Sequence, residues 1–360
     1  MKKKINLKNS KFKLNTKVPV DEFCENFLYN EASGYYTNQI EFGKKGDFIT
    51  SPTISNLFSE IIGIWIISAW ENIGEPKKFN IVELGPGDGS LVSILIKVFK
   101  KFPKFYNSSK IYLYEKSKLL KKKQKVKLKN ENIKWISSFN KIQSGPIIFF
   151  GNEFFDAIPV KQILRNKNQF KEKCYLINKN GLKETFKKVS AKDISKIKSF
   201  KILKNLNFIE YPKLGFKELN KITKKISSLT GGILLIDYGY LDAINKSTLQ
   251  MVKNNKKIDI KKIYKNFGKA DITSLVNFKL MKEYFEKNRL KVKNIVSQKF
   301  FLERMGIIER AKILEKKMTT KEKMDMSNTL VRLLHKKIMG ELFKVIFAYK
   351  SKQNNFLGFN

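Results

Sequence analysis

The chain has 360 residues, room for one large α/β domain with insertions or for two domains, and carries 73 Lys and Arg against 32 Asp and Glu, a net charge of +41. Such an excess ordinarily points to nucleic acid, a membrane surface or an acidic partner. Here it is almost all Lys, spread along the chain with abundant Asn and Ile, which fits AT-rich codon drift at exposed positions better than an Arg-and-aromatic nucleic-acid face.

The first residues, "MKKKINLKNSKFKLNTK", lack the apolar stretch of a secretory signal, though a short basic transit segment is compatible with them. A cytoplasmic location is the default, or the mitochondrial matrix if the chain is eukaryotic. Residues 55 to 73 show helical spacing with Ser55 as a cap, and their apolar centre, "IIGIWIISAW", is too short to span a bilayer. Strands and helices then alternate: "FNIVEL" (79 to 84) as strand, "GSLVSILIKVFKKF" as helix, "KIYLYE" (110 to 115) as strand, "SKLLKKKQKVKLK" as helix, and "IKWIS" and "GPIIFF" as strands. That alternation predicts a parallel sheet wound with right-handed crossovers. The rhythm breaks at "FKEKCYLINKNGLKETFKKVS", a hairpin around Asn180-Gly181 that begins an insertion reaching to about residue 230. It resumes with the strand "GGILLIDYGY" (231 to 240), the helix "TSLVNFKLMKEYFEKNRL" and late strand character in "FKVIFAY" (343 to 349). The partition expected is an N-terminal segment with a lid over 1–54, the first half of the ligand-binding core over 55–160, an inserted subdomain over 161–230, and the second half of the core with helical additions over 231–360.

"VELGPGDGS" (82 to 90) joins the first core strand to a helix. Gly85, Gly87 and Gly89 permit backbone angles and close ligand approach that a Cβ would obstruct, and free N–H groups at the helix start face whatever occupies the loop. Ser90 stands where the third glycine of a dinucleotide fingerprint would be, and no Gly-Lys-Ser/Thr follows to make a phosphate loop. Glu115, closing the second strand, is placed to reach ribose hydroxyls, which suits NAD as readily as S-adenosyl-L-methionine. Glu83 ahead of the glycines together with Glu115 is the usual arrangement of class I methyltransferases.

"GNEFFDAIPV" (151 to 160) ends a buried strand with Asn152, Glu153 and Asp156 among apolar residues, followed by Pro159. The carboxyl end of such a strand is where an open α/β sheet presents side chains to its ligand; capping of the following turn would also suit Asn152 and Asp156. The single histidine, His335 in "RLLHKKIMG", falls on the exposed side of a helix, so a general base must be a carboxylate, Tyr or Lys. Cys24 and Cys174 stand too far apart for a disulfide framework or zinc site, and no metal is expected.

With those residues in view the chain resembles the MidA-like methyltransferases, whose mitochondrial members assist assembly of respiratory complex I and are regarded as protein arginine methyltransferases. The matching stretches run nearly end to end: "GYY" (34 to 36), "FGKKGDFITSPTIS" (42 to 55), "VELGPGDGSL", "YEKSKLLKKKQ", "GNEFFDAIPV", "LIDYGY", "TLQ" (248 to 250), "ADITSLVNF" (270 to 278) and "MGELFKVI" (339 to 346). The chain departs from the family's pattern where a histidine often follows "TLQ" (Asn254 and Asn255 stand there), where Glu172-Lys173 replaces a Glu-Arg pair, and at Asp88, a position that varies.

The resemblance implies a Rossmann-like class I methyltransferase sheet with an N-terminal helical region, an inserted α+β subdomain and C-terminal helical additions. It implies S-adenosyl-L-methionine as cofactor, held by Glu83, Gly85, Gly87, Gly89, Glu115, Ser117 and Asn152. The loop "NEFFDAIP" would face the transferred methyl, with Glu153 and Asp156 holding an arginine guanidinium and taking its proton while Asn152 positions donor or substrate. Asp237 and Tyr238 would border the same cleft. Tyr35 and Tyr36 of "GYY" and Asp47 and Thr50 of "GDFITSP" would form a lid or merely brace the helix over 55 to 73. The expected partner is a protein substrate, a complex I subunit being one candidate, with no specific nucleic acid. Two other readings are an assembly scaffold that keeps the fold without turnover, against which the intact motifs speak, and a nucleic-acid methyltransferase, for which the Asn/Asp-Pro-Pro-aromatic pattern is absent.

Overall fold

In the computed structural model, residues 12–38, 56–178, 181–253, 256–260, 263 and 266–360 are described. Phe79–Leu84, buried along its whole length, lies in the interior of the main sheet. On one side it pairs in parallel with Ser109–Tyr114, which pairs with Ile133–Ile136; on the other it pairs with Ile147–Asn152, which pairs with Gly231–Tyr240. Phe343–Lys350 adds antiparallel to Gly231–Tyr240, and Lys291–Val292 follows antiparallel at the edge. The chain thus builds outward from Phe79–Leu84, then returns to lay Ile147–Asn152 on its opposite flank. This reversal opens a crevice at the carboxyl ends of those two strands, the usual ligand position in such sheets, and both sequence motifs begin there.

Two apolar layers cover the sheet. On one face Asn56–Asn72 contributes Trp65 and Ile66, which share a core with Phe150 and Phe347. On the other, Lys213–Leu229 turns its apolar stripe inward, so Ile222 and Ile226 pack with Ile147 and Phe149. Beside this body lies a second, antiparallel sheet of Lys17–Pro19, Gln169–Asn178, Lys161–Asn166 and Phe208–Tyr211, with Gly181–Lys188 paired to Gln169–Asn178. Its Lys161 is buried and forms ion pairs with Glu172 and, at 3.3 Å, with Asp21 of the helix Val20–Tyr29. Breaking such a buried pair is costly, so the N-terminal helix is held against this sheet. A third small sheet joins Gln250–Lys253 to Lys256–Ile258 and Asp271–Thr273.

The hairpin expected at Asn180-Gly181 closes with Asn178 opposite Gly181, Asn180 itself lying outside the described residues. The helix expected from Thr273 begins only at Phe278. Val276 and Asn277 are drawn instead into a parallel pairing with Gly239 and Tyr240, and the Asn277 side chain then caps the helix by accepting the Leu280 N–H at 3.0 Å. His335 is exposed as expected but sits at the carboxyl cap of Thr320–Leu334 rather than within a helix, and its Nδ1 accepts the Lys337 N–H. Among the described residues no helix is long and apolar enough to cross a membrane.

Candidate functional site

The crevice is a cleft of about 540 Å³ whose lining includes Tyr29, Tyr36, Gly85, Gly87, Glu115, Glu153, Asp156 and Asp271. The glycine loop forms one end. Gly85, Gly87 and Gly89 have φ of 64°, 56° and 79°, the left-handed region that glycine enters at little cost. A Cβ on Gly85 would come within 2.8 Å of the Phe154 ring, so the glycine loop and the loop after Ile147–Asn152 are in direct contact. Asp88 accepts from Ser90 N–H and Oγ–H and from Lys127, a role confined to the start of the helix Ser90–Phe99.

Glu115 lies at the cleft with its carboxylate fixed on two sides. Oε1 accepts the Ser117 N–H at 2.8 Å and Oε2 accepts from Gln124 Nε2 at 3.3 Å. Burial pushes its pKa up, and these hydrogen bonds pull it back. The Gln124 amide also donates to the Gly87 carbonyl at 2.7 Å and accepts from Trp135 Nε1 at 2.9 Å, tying the glycine loop to the acid. Ser117 caps the helix Lys118–Lys127 and donates to the Tyr36 carbonyl at 2.6 Å. Glu83 stands behind the loop, 3 % exposed, and burial, then Asp88 and Glu115, push it up to about 8. Its Oε2 is buried without a hydrogen-bond partner.

The other end is acidic. Glu153 has φ of 53°, an uncommon conformation for a residue with a Cβ, and its N–H donates to the Ile236 carbonyl at 2.9 Å. The Asn152 amide donates to Glu153 Oε1 at 3.0 Å, while Asn152 Oδ1 and Asp156 Oδ1 are buried without partners. Burial, then Asp237, Glu153 and Asp271, push Asp156 well above the usual carboxylate range. Unsatisfied buried acceptors are uncommon in folded proteins, and their gathering here, with a glycine loop shaped for close approach, fits a nucleoside-bearing ligand at one end and a hydrogen-bond donor at the other.

Of the residues singled out from sequence, Tyr36, Gly85, Gly87, Glu115, Glu153 and Asp156 line the cleft together. Glu83, Gly89, Ser117 and Asn152 stand outside its lining. Tyr35 is buried in the apolar cluster of the N-terminal helix, and Asp47 and Thr50 lie outside the described residues. Asp237, expected on the border of the cleft, is instead beneath its wall, 2 % exposed. Its Oδ2 accepts the N–H groups of Phe154, Phe155 and Asp156 at 3.2, 2.8 and 3.3 Å, and its Oδ1 that of Tyr238 at 2.9 Å. The carboxylate is spent on holding the loop. Tyr238 likewise packs on Phe343 and accepts from Gln250 at 3.1 Å. Two site residues escaped sequence reasoning, Gln124 and Asp271; both carried a signal, since Gln124 ends the stretch "YEKSKLLKKKQ" and Asp271 belongs to "ADITSLVNF".

The family model described as "Putative S-adenosyl-L-methionine-dependent methyltransferase" matches residues 61–296. The protein arginine methyltransferase NDUFAF7, mitochondrial, of Xenopus tropicalis is 28% identical over 85% of this chain and 76% of its own length. The human protein of that name is 27% identical over 92% of this chain and 80% of its own. A Burkholderia thailandensis protein crystallised with S-adenosyl-homocysteine superposes with a TM-score of 0.79 at 20% identity, covering 95% of this chain and 90% of that one; it shares the fold. A family match over most of the chain, on a sheet whose glycine loop and acid meet at one crevice, shows that this protein belongs to the S-adenosyl-L-methionine-dependent methyltransferase family matched over residues 61–296.

Proposed function

We propose that the protein methylates an arginine side chain of a protein substrate, a subunit of a complex I type respiratory assembly being the best candidate. The observation that carries this is the acidic end of the cleft: Glu153, Asp156 and Asp271 share its lining with the glycine loop. The names of the relatives, protein arginine methyltransferase NDUFAF7, support the same substrate class. Their mitochondrial designation supports a mitochondrial location if this chain is eukaryotic; for a bacterial chain the reading is the cytoplasm.

Gly85, Gly87 and Glu115 would hold the cofactor, with Gln124 and Ser117 fixing Glu115 from behind. The cofactor supplies an electrophilic methyl group on a sulfonium. The protein's task is to present the nucleophile. A guanidinium is protonated at any ordinary pH, so its lone pair becomes available only as a proton leaves. Glu153, held by Asn152, would accept one N–H edge and orient the plane. Asp156, whose pKa burial and neighbouring acids raise in the empty cleft, would meet the cationic guanidinium as its carboxylate and take the proton as the methyl arrives.

Purified protein incubated with labelled S-adenosyl-L-methionine and a cell extract tests this. Label should be lost on protease treatment, survive nuclease, and map by mass spectrometry to methylarginine. Glu153→Gln and Asp156→Asn should keep cofactor binding and lose transfer by a factor on the order of 10² or more. Nuclease-sensitive label, or variants with wild-type turnover, would overturn the reading.

A further inference from the structure

We propose that a small apolar cavity behind the reaction loop is a specificity subsite, taking an aliphatic side chain two residues from the arginine that is methylated. The proposal rests on the arginine reading above and adds to it a preference for the flanking sequence. The cavity, of about 40 Å³, lies between the loop after Ile147–Asn152 and the helices Lys213–Leu229 and Phe278–Lys287, its walls including Phe155, Val160, Gly215, Leu219 and Met281. It adjoins the cleft, because Ile158 lines both. Ile158, Leu275 and Asn277, also in its lining, are only half-buried, so the cavity has an open side.

Its chemistry favours a hydrocarbon occupant. Glu210 reaches the lining, but its carboxylate accepts from Gln162 Nε2 and from the N–H and hydroxyl of Thr248. Asn277 Oδ1 accepts the Leu280 N–H, and the same side chain is hydrogen-bonded to the Tyr240 hydroxyl. The walls between these groups are apolar, and an apolar space stays dry. Left empty, it forfeits the contacts of its lining, which methyl groups of a ligand would restore. One water needs about 10 to 15 Å³, and a cavity of about 150 Å³ admits benzene. A space of about 40 Å³ therefore suits the branched end of a leucine or valine and excludes a ring. Gly215 helps to keep the room open: a Cβ there would meet Phe155 Cδ1 and Pro212 Cβ at 3.5 Å, an ordinary contact, so a side chain is tolerated at the position and would take up space beside the Phe155 ring.

The spacing fits a substrate chain lying extended across the cleft. Asp156 and Ile158 are two residues apart on one loop, so their Cα atoms are at most about 7 Å apart. An extended peptide repeats its side chains on one face every second residue, a step of about 6.5 Å. With the target arginine at Asp156, the side chain two residues away falls at Ile158 and the cavity. The relation between the two places is fixed, since Ser274 lines the cavity and donates its N–H to the Asp156 carbonyl at 3.0 Å.

The test is methyl transfer from S-adenosyl-L-methionine to acetylated heptapeptides with a central arginine, carrying leucine, alanine, phenylalanine or aspartate two residues before or after it. At one of those two positions wild type should favour leucine over alanine by a factor of about ten or more in kcat/KM, with no gain from phenylalanine or aspartate. Gly215→Val should bring the leucine-to-alanine ratio close to one, with S-adenosyl-homocysteine affinity within about twofold of wild type. Leu219→Ala should enlarge the cavity and move the preference toward phenylalanine. Equal rates for all arginine peptides, or a leucine preference that survives Gly215→Val, would overturn the subsite and leave the arginine reading standing. Arginine peptides that take no label, whether or not lysine-centred counterparts do, would overturn both. If Leu219→Ala does not fold, Gly215→Val decides.

Discussion

Asp237 offers a quantitative check on how the reaction loop is held. In Asp237→Asn the side chain keeps its shape but has one acceptor oxygen instead of two. The best placement leaves that oxygen on the three N–H groups of Phe154, Phe155 and Asp156 and turns the amide nitrogen toward the Tyr238 N–H, two donors face to face. Losing one buried partner costs about 1 to 3 kcal/mol, and three charge-assisted bonds become neutral ones at roughly half the strength. Against this, burial already pushes Asp237 up to about 7, so part of the charge's benefit is absent at neutral pH. The net expected loss is about 2 to 4 kcal/mol, read by urea denaturation. The loop pays locally as well. Glu153 sits at φ of 53°, a strained position that costs of order 1 to 3 kcal/mol and persists only while its surroundings impose it. With the grip of Asp237 weakened, Glu153 and Asp156 should relax out of register, so methyl transfer should fall by far more than S-adenosyl-homocysteine affinity. A variant within about 0.5 kcal/mol of wild type and with unchanged turnover would show that the four bonds do not set the loop, refuting the reasoning.

Gln124→Met keeps the bulk of a buried side chain but removes the donor to Gly87 and Glu115. It should weaken S-adenosyl-homocysteine by about 1 to 2 kcal/mol in calorimetry, with little change in KM for the protein substrate. Glu83 has a folded pKa raised to about 8, above its ordinary 4.5, so its native state retains a proton that the unfolded chain releases. Its contribution is fully present below about pH 4.5 and is lost as pH rises toward 8. Glu83→Gln should flatten the fall in melting temperature across that window in the ligand-free protein, and parallel wild-type and variant profiles would contradict the assignment.

The central sheet was legible because its strands are short apolar runs bounded by glycine, proline and polar turns. "FNIVEL" and "GGILLIDYGY" coincide with Phe79–Leu84 and Gly231–Tyr240. The stretch from Thr273 misled because its apolar spacing suits a helix, whereas pairing with Gly239 and Tyr240, 37 residues earlier, claims Val276 and Asn277 first. Tertiary pairing overrides local propensity there. The two ends of the cleft were legible through their motifs, since glycines at a strand exit and carboxylates at the next exit have local causes. Gln124, Asp237 and Asp271 were not legible in their roles. Each acts through a partner distant in sequence: Gly87, the N–H groups of residues 154 to 156, and Tyr36. Nothing in their own neighbourhoods distinguishes a loop anchor from a cleft acid.

The surplus of Lys acquires a sharper meaning once burial is known. Among the described residues the buried charged side chains comprise nine carboxylates, Asp21, Glu83, Glu115, Asp156, Glu172, Asp193, Glu210, Asp237 and Asp271, and one lysine, Lys161. A chain with 73 basic and 32 acidic residues therefore places its positive charge outside and a disproportionate share of its negative charge inside. A lysine keeps its charge in water where its long side chain can reach the surface, whereas a buried position whose neighbours donate hydrogen bonds requires an acceptor. Four of the buried acids, Glu115, Asp156, Asp237 and Asp271, line the cleft or brace its wall. The outer charge is screened within about 8 to 10 Å at physiological salt, whereas groups buried in the cleft act at short range in a medium that screens them far less. Lys116, Lys121, Lys217 and Lys221 line the same cleft beside its acids, so what enters is decided by this local arrangement of both signs rather than by the net charge of the molecule.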